Sequence, residues 1–301
     1  MYDIIIVGAG PAGLTAAIYG QRAAKKVLVL EAKSYGGQII NTLDIENYPA
    51  EAHVSGFDFA TKLYNQAKEL GAEIKFEKVL EIRDFGEKKE VETGKEKYTA
   101  KTVILTTGSK NRKLGLAGED ELTGKGISYC ATCDGAFYKK KKVAVVGGGN
   151  TALGDALYLA DVAEKVYLIH RRDEFRGEEA VVEQLKKREN VELIYNSQVT
   201  KLVSEGKLTG LEVTDKEGKT QKIKVDGLFI AIGRIPENDA FSELIELDAA
   251  GYVVAGEDCR TNVPGIFVAG DNRAKEVRQL VTATSDGAVA ATAAVKYLRM
   301  V

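Results

Sequence analysis

Two copies of a strand, glycine turn, helix and strand pattern constrain the fold of this 301-residue chain more than any other feature. In the first copy an apolar stretch at residues 4–7 precedes the turn GAGPAG at 8–13, and a second apolar stretch ends in Glu31. In the second copy the apolar stretch 142–146 precedes GGGNTA at 147–152. Because this βαβ pattern is typical of dinucleotide-binding domains, the sequence predicts two homologous domains of that kind.

The order of the remaining apolar segments predicts how the two domains share the chain. Three further β-forming stretches run into Gly108, Gly233 and Gly270. The simplest arrangement is an interrupted domain. We therefore predict an α/β fold with two Rossmann-like three-layer nucleotide-binding domains, in which residues 113–239 are inserted between segments 1–112 and 240–301 of the other domain. Residues 87–101 alternate charged residues with β-formers and predict a solvated hairpin.

Composition excludes several classes of protein. Lys and Arg number 42 against 44 Asp and Glu, so a net charge of −2 gives no reason to expect nucleic acid or an acidic membrane as partner. No apolar run approaches the roughly 18 residues that a membrane helix needs, and the start of the chain reads as a strand rather than a signal peptide. Three cysteines do not make a disulfide scaffold. A reducing compartment, the cytoplasm, is therefore expected.

The first glycine turn predicts a site for FAD or NAD. Gly8 permits the tight turn, Gly10 lets the backbone approach a pyrophosphate, and Gly13 lets the helix pack closely on the strand. The helix N-terminus offers N–H groups and a positive dipole to the phosphates. Glu31 can accept hydrogen bonds from ribose hydroxyls, and its charge repels a 2′-phosphate, which disfavours NADP.

The second glycine turn predicts a different nucleotide. No acidic residue ends its second strand, which instead runs into HRRDEFR at residues 170–176. Arg171, Arg172 and Arg176 can bind a dianionic 2′-phosphate with bidentate geometry, and His170 takes a secondary role beside them. A solvated basic face is the alternative. The position directly after the strand favours selection of NADP(H).

The pair Cys130 and Cys133, followed at once by Asp134, predicts a redox-active dithiol. Cysteines at this spacing can close a disulfide, and Asp134 is placed to exchange a proton with a departing thiolate. Structural zinc is the rival interpretation, but it needs four ligands, and neither Cys259 nor the two histidines supply the spacing. We predict no metal site. We also predict that Cys259 is a buried or partly buried bystander and that His53 has no special role.

The motifs together identify a resemblance to a known family. The chain resembles the low-molecular-weight thioredoxin reductases over essentially its whole length, through GAGPAG, GGQ, IENYP, CATCDG, GGGNTA, HRRDEFR and VAGDNR. The resemblance implies electron flow from NADPH through FAD to the cysteine pair and then to thioredoxin, in a homodimer. It also implies that Cys133 faces the flavin and Cys130 attacks thioredoxin, while Asp134 manages the proton. The inserted domain is expected to rotate about linkers at 110–114 and 234–238.

The same resemblance assigns cofactor residues. The residues implied for FAD are Gly8, Gly10, Ala12, Gly13, Glu31, Gly37, Gln38, Asn47, Gly108, Asp271, Arg278, Gln279 and Leu280. The residues implied for NADPH are Gly147, Gly149, Asn150, Thr151, His170, Arg171, Arg172 and Arg176.

Three other functions fit parts of the pattern. A ferredoxin-fed thioredoxin reductase and a flavin-dependent oxidase of small dithiols share the flavin and the cysteine pair, but neither needs the arginine-rich segment. A non-catalytic flavoprotein that senses redox state needs neither a transferable dithiol nor a second nucleotide site. The predicted function is therefore that of an NADPH-dependent thioredoxin-disulfide reductase. Asn272 departs from the family pattern, which often has valine there.

Overall fold

A computed structural model describes residues 1–42 and 44–301 of the chain. The described residues divide into two compact units. The first contains Met1–Lys110 and Ile235–Val301, and the second contains Asn111–Arg234. The chain thus leaves the first unit once and returns to it.

The helices and strands are numbered along the chain. The helices are α1 (Pro11–Arg22), α2 (Gly56–Glu69), α3 (Glu119–Leu122), α4 (Ala131–Asp134), α5 (Asn150–Val162), α6 (Glu179–Lys186) and α7 (Leu280–Tyr297). The strands are β1 (Tyr2–Val7), β2 (Val27–Glu31), β3 (Glu73–Phe76), β4 (Val79–Asp84), β5 (Lys89–Thr93), β6 (Lys97–Leu105), β7 (Ser109–Asn111), β8 (Ile127–Ser128), β9 (Lys142–Val146), β10 (Lys165–Ile169), β11 (Val191–Ile194), β12 (Ser197–Ser204), β13 (Leu208–Asp215), β14 (Thr220–Lys224), β15 (Gly227–Ile230), β16 (Arg234–Pro236) and β17 (Ile266–Val268).

The first unit is built on a mixed sheet whose strand order is β3-β2-β1-β6-β5-β4, with β17 also paired to β6. The strands β1, β2, β3, β6 and β17 pair in parallel, and β4 and β5 extend the sheet in antiparallel fashion. Ile4 and Ile6 enter the core beneath α1 and α7, whereas Ile5 and Val7 enter the core on the other side. This burial on both faces explains why β1 reads as a continuous apolar run.

The second unit has a fully parallel sheet in the order β11-β10-β9-β15-β8. One face is covered by α5 and α6, and the other packs against the antiparallel sheet β12-β13-β14 through residues such as Leu202, Leu211 and Val213. One unit with a mostly parallel sheet and one with a fully parallel sheet, each with helices packed on it, confirm the predicted α/β fold class.

Both predicted βαβ units are present. Gly10 and Gly149 are the N-caps, so α1 and α5 already include the ends of the glycine motifs. The prediction of a solvated hairpin at 87–101 is half wrong. Strands β5 and β6 do pair antiparallel, but they join the main sheet, and one face is buried. Lys89 on that face is only 1% exposed, and its ammonium lies 2.7 Å from the Asp84 carboxylate.

Candidate functional site

The first glycine turn leaves an open cradle at the N-terminus of α1. A Cβ at Gly8 would lie 2.4 Å from the Thr106 carbonyl oxygen, and a Cβ at Gly13 would lie 2.0 Å from that of Gly8. Both positions therefore require glycine for close packing. Gly10 has no such neighbour, since its nearest contact would be the Cα of Gly37 at 3.9 Å. No side chain caps α1, so its first N–H groups face the cradle.

Glu31 is held beside this turn by backbone hydrogen bonds. Its carboxylate accepts the N–H of Ala9 at 2.7 Å and the N–H of Lys33 at 2.9 Å. Each carboxylate oxygen can accept more than one hydrogen bond, so capacity for ribose hydroxyls is left. The turn and the end of β2 are thus fixed relative to each other before any ligand binds.

Residues predicted to contact FAD come together from distant parts of the chain. A Cβ at Gly270 would lie 3.0 Å from the Cβ of Ala12, which places the second segment of the unit against the glycine turn. The Asn47 side-chain amide donates to Gln279 Oε1 at 3.3 Å. Leu280 packs on the apolar cluster beneath residues 45–54. The IENYP loop and the start of α7 therefore border one region.

Other residues predicted to contact FAD lie at loops of the same unit. The Arg278 guanidinium lies 4.0 Å from the centroid of the Tyr252 ring, and its buried Nε has no hydrogen-bond partner among the described residues. Gly108 has a left-handed φ of 69°, and nothing lies within 4 Å of its added Cβ. Gln38 is exposed. Asp271 directly follows the Gly270 turn, and its Oδ1 is buried. The buried Arg278 Nε, which has no partner among the described residues, and the open backbone at Gly108 both fit a polar cofactor.

A buried ion cluster that sequence analysis missed supports the Gly270–Asp271 turn. Asp286 on α7 is 7% exposed and accepts hydrogen bonds from the Gly270 N–H at 3.0 Å, Arg273 Nη2 at 3.1 Å and Lys275 Nζ at 3.0 Å. Burial alone raises the pKa of this carboxyl, but the hydrogen bonds from Arg273 and Lys275 outweigh it and lower the pKa. Asp286 is the one charged residue between positions 280 and 295, which is the available sequence signal.

We expect Asp286→Asn to lower the free energy of unfolding by about 3–5 kcal/mol, because it leaves the buried Arg273 and Lys275 without a counter-charge. A carboxyl with a lowered pKa stabilises the fold at pH values above its unfolded pKa of about 3.9. That contribution is lost as the pH falls through the folded pKa. Urea unfolding of both proteins at pH 7 and near pH 3 measures the difference, which should shrink at the lower pH. A constant difference at both pH values would contradict this account.

The second glycine turn repeats the open geometry in the other unit. A Cβ at Gly147 would lie 2.4 Å from the Ala231 carbonyl oxygen, whereas no atom of the described residues lies within 4 Å of one at Gly149. The N-terminus of α5 also has no side-chain cap. The two predicted nucleotide sites therefore share the same backbone arrangement, and they differ in the side chains around it.

The arginine-rich segment folds back onto this second turn. The Arg176 N–H donates to the Gly148 carbonyl at 2.6 Å, and the Glu178 N–H donates to Asn150 Oδ1 at 2.8 Å. Arg171, Arg172 and Arg176 are all exposed, and none forms an ion pair with a described residue. Thr151 is exposed on the first turn of α5. Three uncompensated guanidinium groups beside an open helix N-terminus fit a dianionic phosphate.

His170 differs from its arginine neighbours because it is 5% exposed. Its ring occupies the space that a Gly148 side chain would need and stacks on Phe175 with 5.2 Å between centroids. Burial lowers the pKa of His170. Its Nε2 has no hydrogen-bond partner among the described residues. The structure thus shows a ring that supports the turn, and a contact with phosphate stays a prediction.

Cys130 and Cys133 form a disulfide with an S–S distance of 2.11 Å. Cys130 is the N-cap of α4, which ends at Asp134, and both cysteines are half-buried. Burial raises the pKa of Asp134, while a hydrogen bond from the Ser128 hydroxyl to Asp134 Oδ2, at 2.6 Å, opposes that rise. Ser128 lies outside the motifs that predict the site. Its position two residues before Cys130 is the signal that could have indicated it.

The remaining cysteine and histidine have distinct surroundings. Cys259 is fully buried, which confirms its predicted burial, and burial raises the pKa of its thiol to about 12. That this thiol takes no part in the reaction stays a prediction. His53 lies on the surface with Nδ1 2.8 Å from Asp44 Oδ2 and 3.6 Å from Glu46 Oε1. The hydrogen bond to Asp44 raises the pKa of this histidine.

The chain is similar to known proteins over nearly its whole length. Residues 2–287 match the family model described as pyridine nucleotide-disulphide oxidoreductase. The chain is 46% identical over 300 residues to a thioredoxin reductase of Listeria monocytogenes, covering 99% of this chain and 94% of that protein. It is 43% identical to a thioredoxin reductase of Treponema pallidum, covering 99% and 97%. The crystal structure of thioredoxin reductase from Streptococcus pyogenes superimposes with a TM-score of 0.95 at 39% identity, covering 100% and 99%.

Proposed function

The chain belongs to the pyridine nucleotide-disulphide oxidoreductase family, and we propose that it is a thioredoxin reductase that uses FAD and NADPH to reduce the disulfide of thioredoxin. The observation that carries the proposal is the Cys130–Cys133 disulfide in a unit that also holds a glycine turn flanked by three exposed arginines, none of which is ion-paired with a described residue. The resemblance to low-molecular-weight thioredoxin reductases is confirmed by relatives at 42–46% identity over nearly the whole chain.

The residues of each unit fit the cofactor that we assign to it. We place FAD on the first unit, where Gly10 and Gly37 leave room for a pyrophosphate. The Glu31 carboxylate at this turn would repel a 2′-phosphate, which FAD does not carry. We place NADPH on the second unit, where Gly149 is open and Arg171, Arg172 and Arg176 bind the 2′-phosphate. When bound, FAD supplies the path by which two electrons from NADPH reach the disulfide.

The chemistry of the chain's own residues is the opening and closing of one disulfide. Reduction breaks the Cys130–Cys133 S–S bond and takes up two electrons and two protons to give two thiols. Asp134, whose pKa is raised by burial, can hold a proton next to Cys133 and give it to a departing thiolate. Cys130 then attacks the thioredoxin disulfide, and Cys133 resolves the mixed disulfide, which restores the Cys130–Cys133 bond and releases reduced thioredoxin.

We extend the proposal to assembly and location. We infer a homodimer, which is supported by the exposed Val281 and Val289 on α7, and sedimentation would measure it. We infer a cytoplasmic location from the sparse cysteines. Among the described residues, no helix is long and apolar enough to cross a membrane.

Anaerobic stopped-flow spectroscopy tests the function. We expect NADPH to bleach the flavin band near about 450 nm at least about tenfold faster than NADH at equal concentration, because only NADPH carries the phosphate that the arginines bind. Oxidised thioredoxin should then restore the band. If neither nucleotide bleaches the flavin, NADPH is rejected as the electron donor, and ferredoxin or a small dithiol takes its place as the electron source. Bleaching by NADPH without reoxidation by thioredoxin would reject thioredoxin as acceptor.

A further inference from the structure

The Ser128 hydroxyl lies between the two chemically active parts of the disulfide segment. It is 4% exposed, at the end of β8. It accepts the Cys130 N–H at 3.1 Å and lies 2.6 Å from Asp134 Oδ2 and 3.3 Å from the Cys130 carbonyl oxygen. One hydroxyl proton thus has two acceptors in reach, a carboxylate and the backbone of the N-terminal cysteine.

We propose that Ser128 is a positioning residue for Asp134, whose hydroxyl proton turns toward the carboxylate when Asp134 has given up its proton and toward the Cys130 carbonyl when Asp134 is protonated. This inference rests on the proposed function. When neutral Asp134 passes its proton to a thiolate of the opened pair, one S–H bond forms and one O–H bond breaks. The new carboxylate then accepts the Ser128 O–H, and no other proton leaves the site.

The geometry favours this assignment over a purely structural role. An O–H···O⁻ contact of 2.6 Å is typical of a strong charge-assisted hydrogen bond, whereas 3.3 Å to a carbonyl oxygen is weak. No cationic side chain pairs with Asp134 in the described part of the chain, so Ser128 is the side chain that stabilises its ionised form. Removing a donor to a carboxylate raises the carboxyl pKa.

Other titratable groups lie on the elements packed against α4, and their titration must be distinguished from that of Asp134. Tyr138 follows α4 in the adjacent turn, and burial raises the pKa of its hydroxyl to about 12. On α5, burial raises the pKa of Asp155 to about 6, and Tyr158 contacts the position of Gly135. Asp155 is the group most easily confused with Asp134, and Asp155→Asn is the matched control.

The first experiment titrates Asp134 directly. Infrared difference spectra of the oxidised holoenzyme against pH, with the Asp134→Asn spectrum subtracted, report the protonated carboxyl without turnover. We expect Ser128→Ala and Ser128→Gly to move the titration midpoint upward by about one pH unit or more, since a hydrogen bond to a charged group is lost. Ser128→Thr, which keeps a hydroxyl, should restore the midpoint, and Asp155→Asn should leave it in place. An unchanged midpoint in Ser128→Ala and Ser128→Gly would overturn the proposal.

A double-mutant cycle tests whether Ser128 acts through Asp134. We expect Ser128→Ala to slow thioredoxin reduction about tenfold in the wild-type background and by less than about twofold in the Asp134→Asn background. Equal losses in both backgrounds would mean that the hydroxyl only supports the Cys130 N–H, and would reject the proposal. Failure of wild-type protein to reduce thioredoxin would count against the proposed function alone, because the infrared titration does not depend on it.

Discussion

Cys133→Ser is expected to reduce NADPH-dependent reduction of thioredoxin by at least about a thousandfold, because serine cannot re-form the disulfide that carries the electrons. FAD and NADPH should still bind, since Cys133 lies on the short α4 and in neither glycine turn. The measurements are steady-state turnover with thioredoxin, the flavin absorbance of the purified protein, and flavin bleaching by NADPH.

Thiol counting provides an independent readout of the same prediction. The chain has three cysteines, so oxidised wild-type protein should show one thiol after denaturation, that of Cys259, and NADPH-reduced protein should show three. Cys133→Ser should show two thiols with or without NADPH. Cys259→Ala is the control, and it should keep turnover within about twofold because its thiol is fully buried and its high pKa prevents thiolate chemistry. Wild-type turnover in Cys133→Ser would reject the disulfide as electron carrier.

The two βαβ units could be predicted from the sequence because several independent signals coincide there. In the first unit the continuous apolar strand, the glycine positions and the acid at the end of β2 all require the same local structure. Gly13 illustrates the point, since the backbone oxygen of Gly8 in the same turn lies where its Cβ would be. Local patterns of this kind can be interpreted without knowing the rest of the fold.

The residues that support the glycine turns from other parts of the chain could not be predicted, because their roles depend on contacts between distant segments. Asp286 stands out as the one charged residue between positions 280 and 295, but its partners Arg273 and Lys275 are defined only once α7 packs beside the Gly270 turn. His170 has a second role that its motif does not reveal. Its place in the arginine-rich motif predicts a contact with phosphate, which stays a prediction, and packing against Gly148 buries its ring.

Replacing Arg171, Arg172 and Arg176 together by glutamine is expected to raise the KM for NADPH by about 100-fold while changing the KM for NADH less than about threefold. A charge-assisted hydrogen bond contributes about 1.5–3 kcal/mol, and two such bonds to one phosphate, discounted because these side chains are exposed, give about 3 kcal/mol. The kcat at saturating NADPH should change little, since the 2′-phosphate takes no part in the reaction and the lost interaction stabilises substrate and transition state equally.

The control separates phosphate recognition from a general loss of positive charge. Arg188→Gln removes an exposed arginine of the same unit, one that is paired with Asp161 at 2.9 Å and lies outside the motif. It should leave both KM values unchanged. A KM for NADPH that rises with added salt in wild-type protein, but stays constant in the triple variant, would identify the interaction as ionic. Equal losses for NADH and NADPH in the triple variant would instead show that the segment 171–176 matters only for the shape of the glycine turn, through the Arg176 N–H and the Gly148 carbonyl.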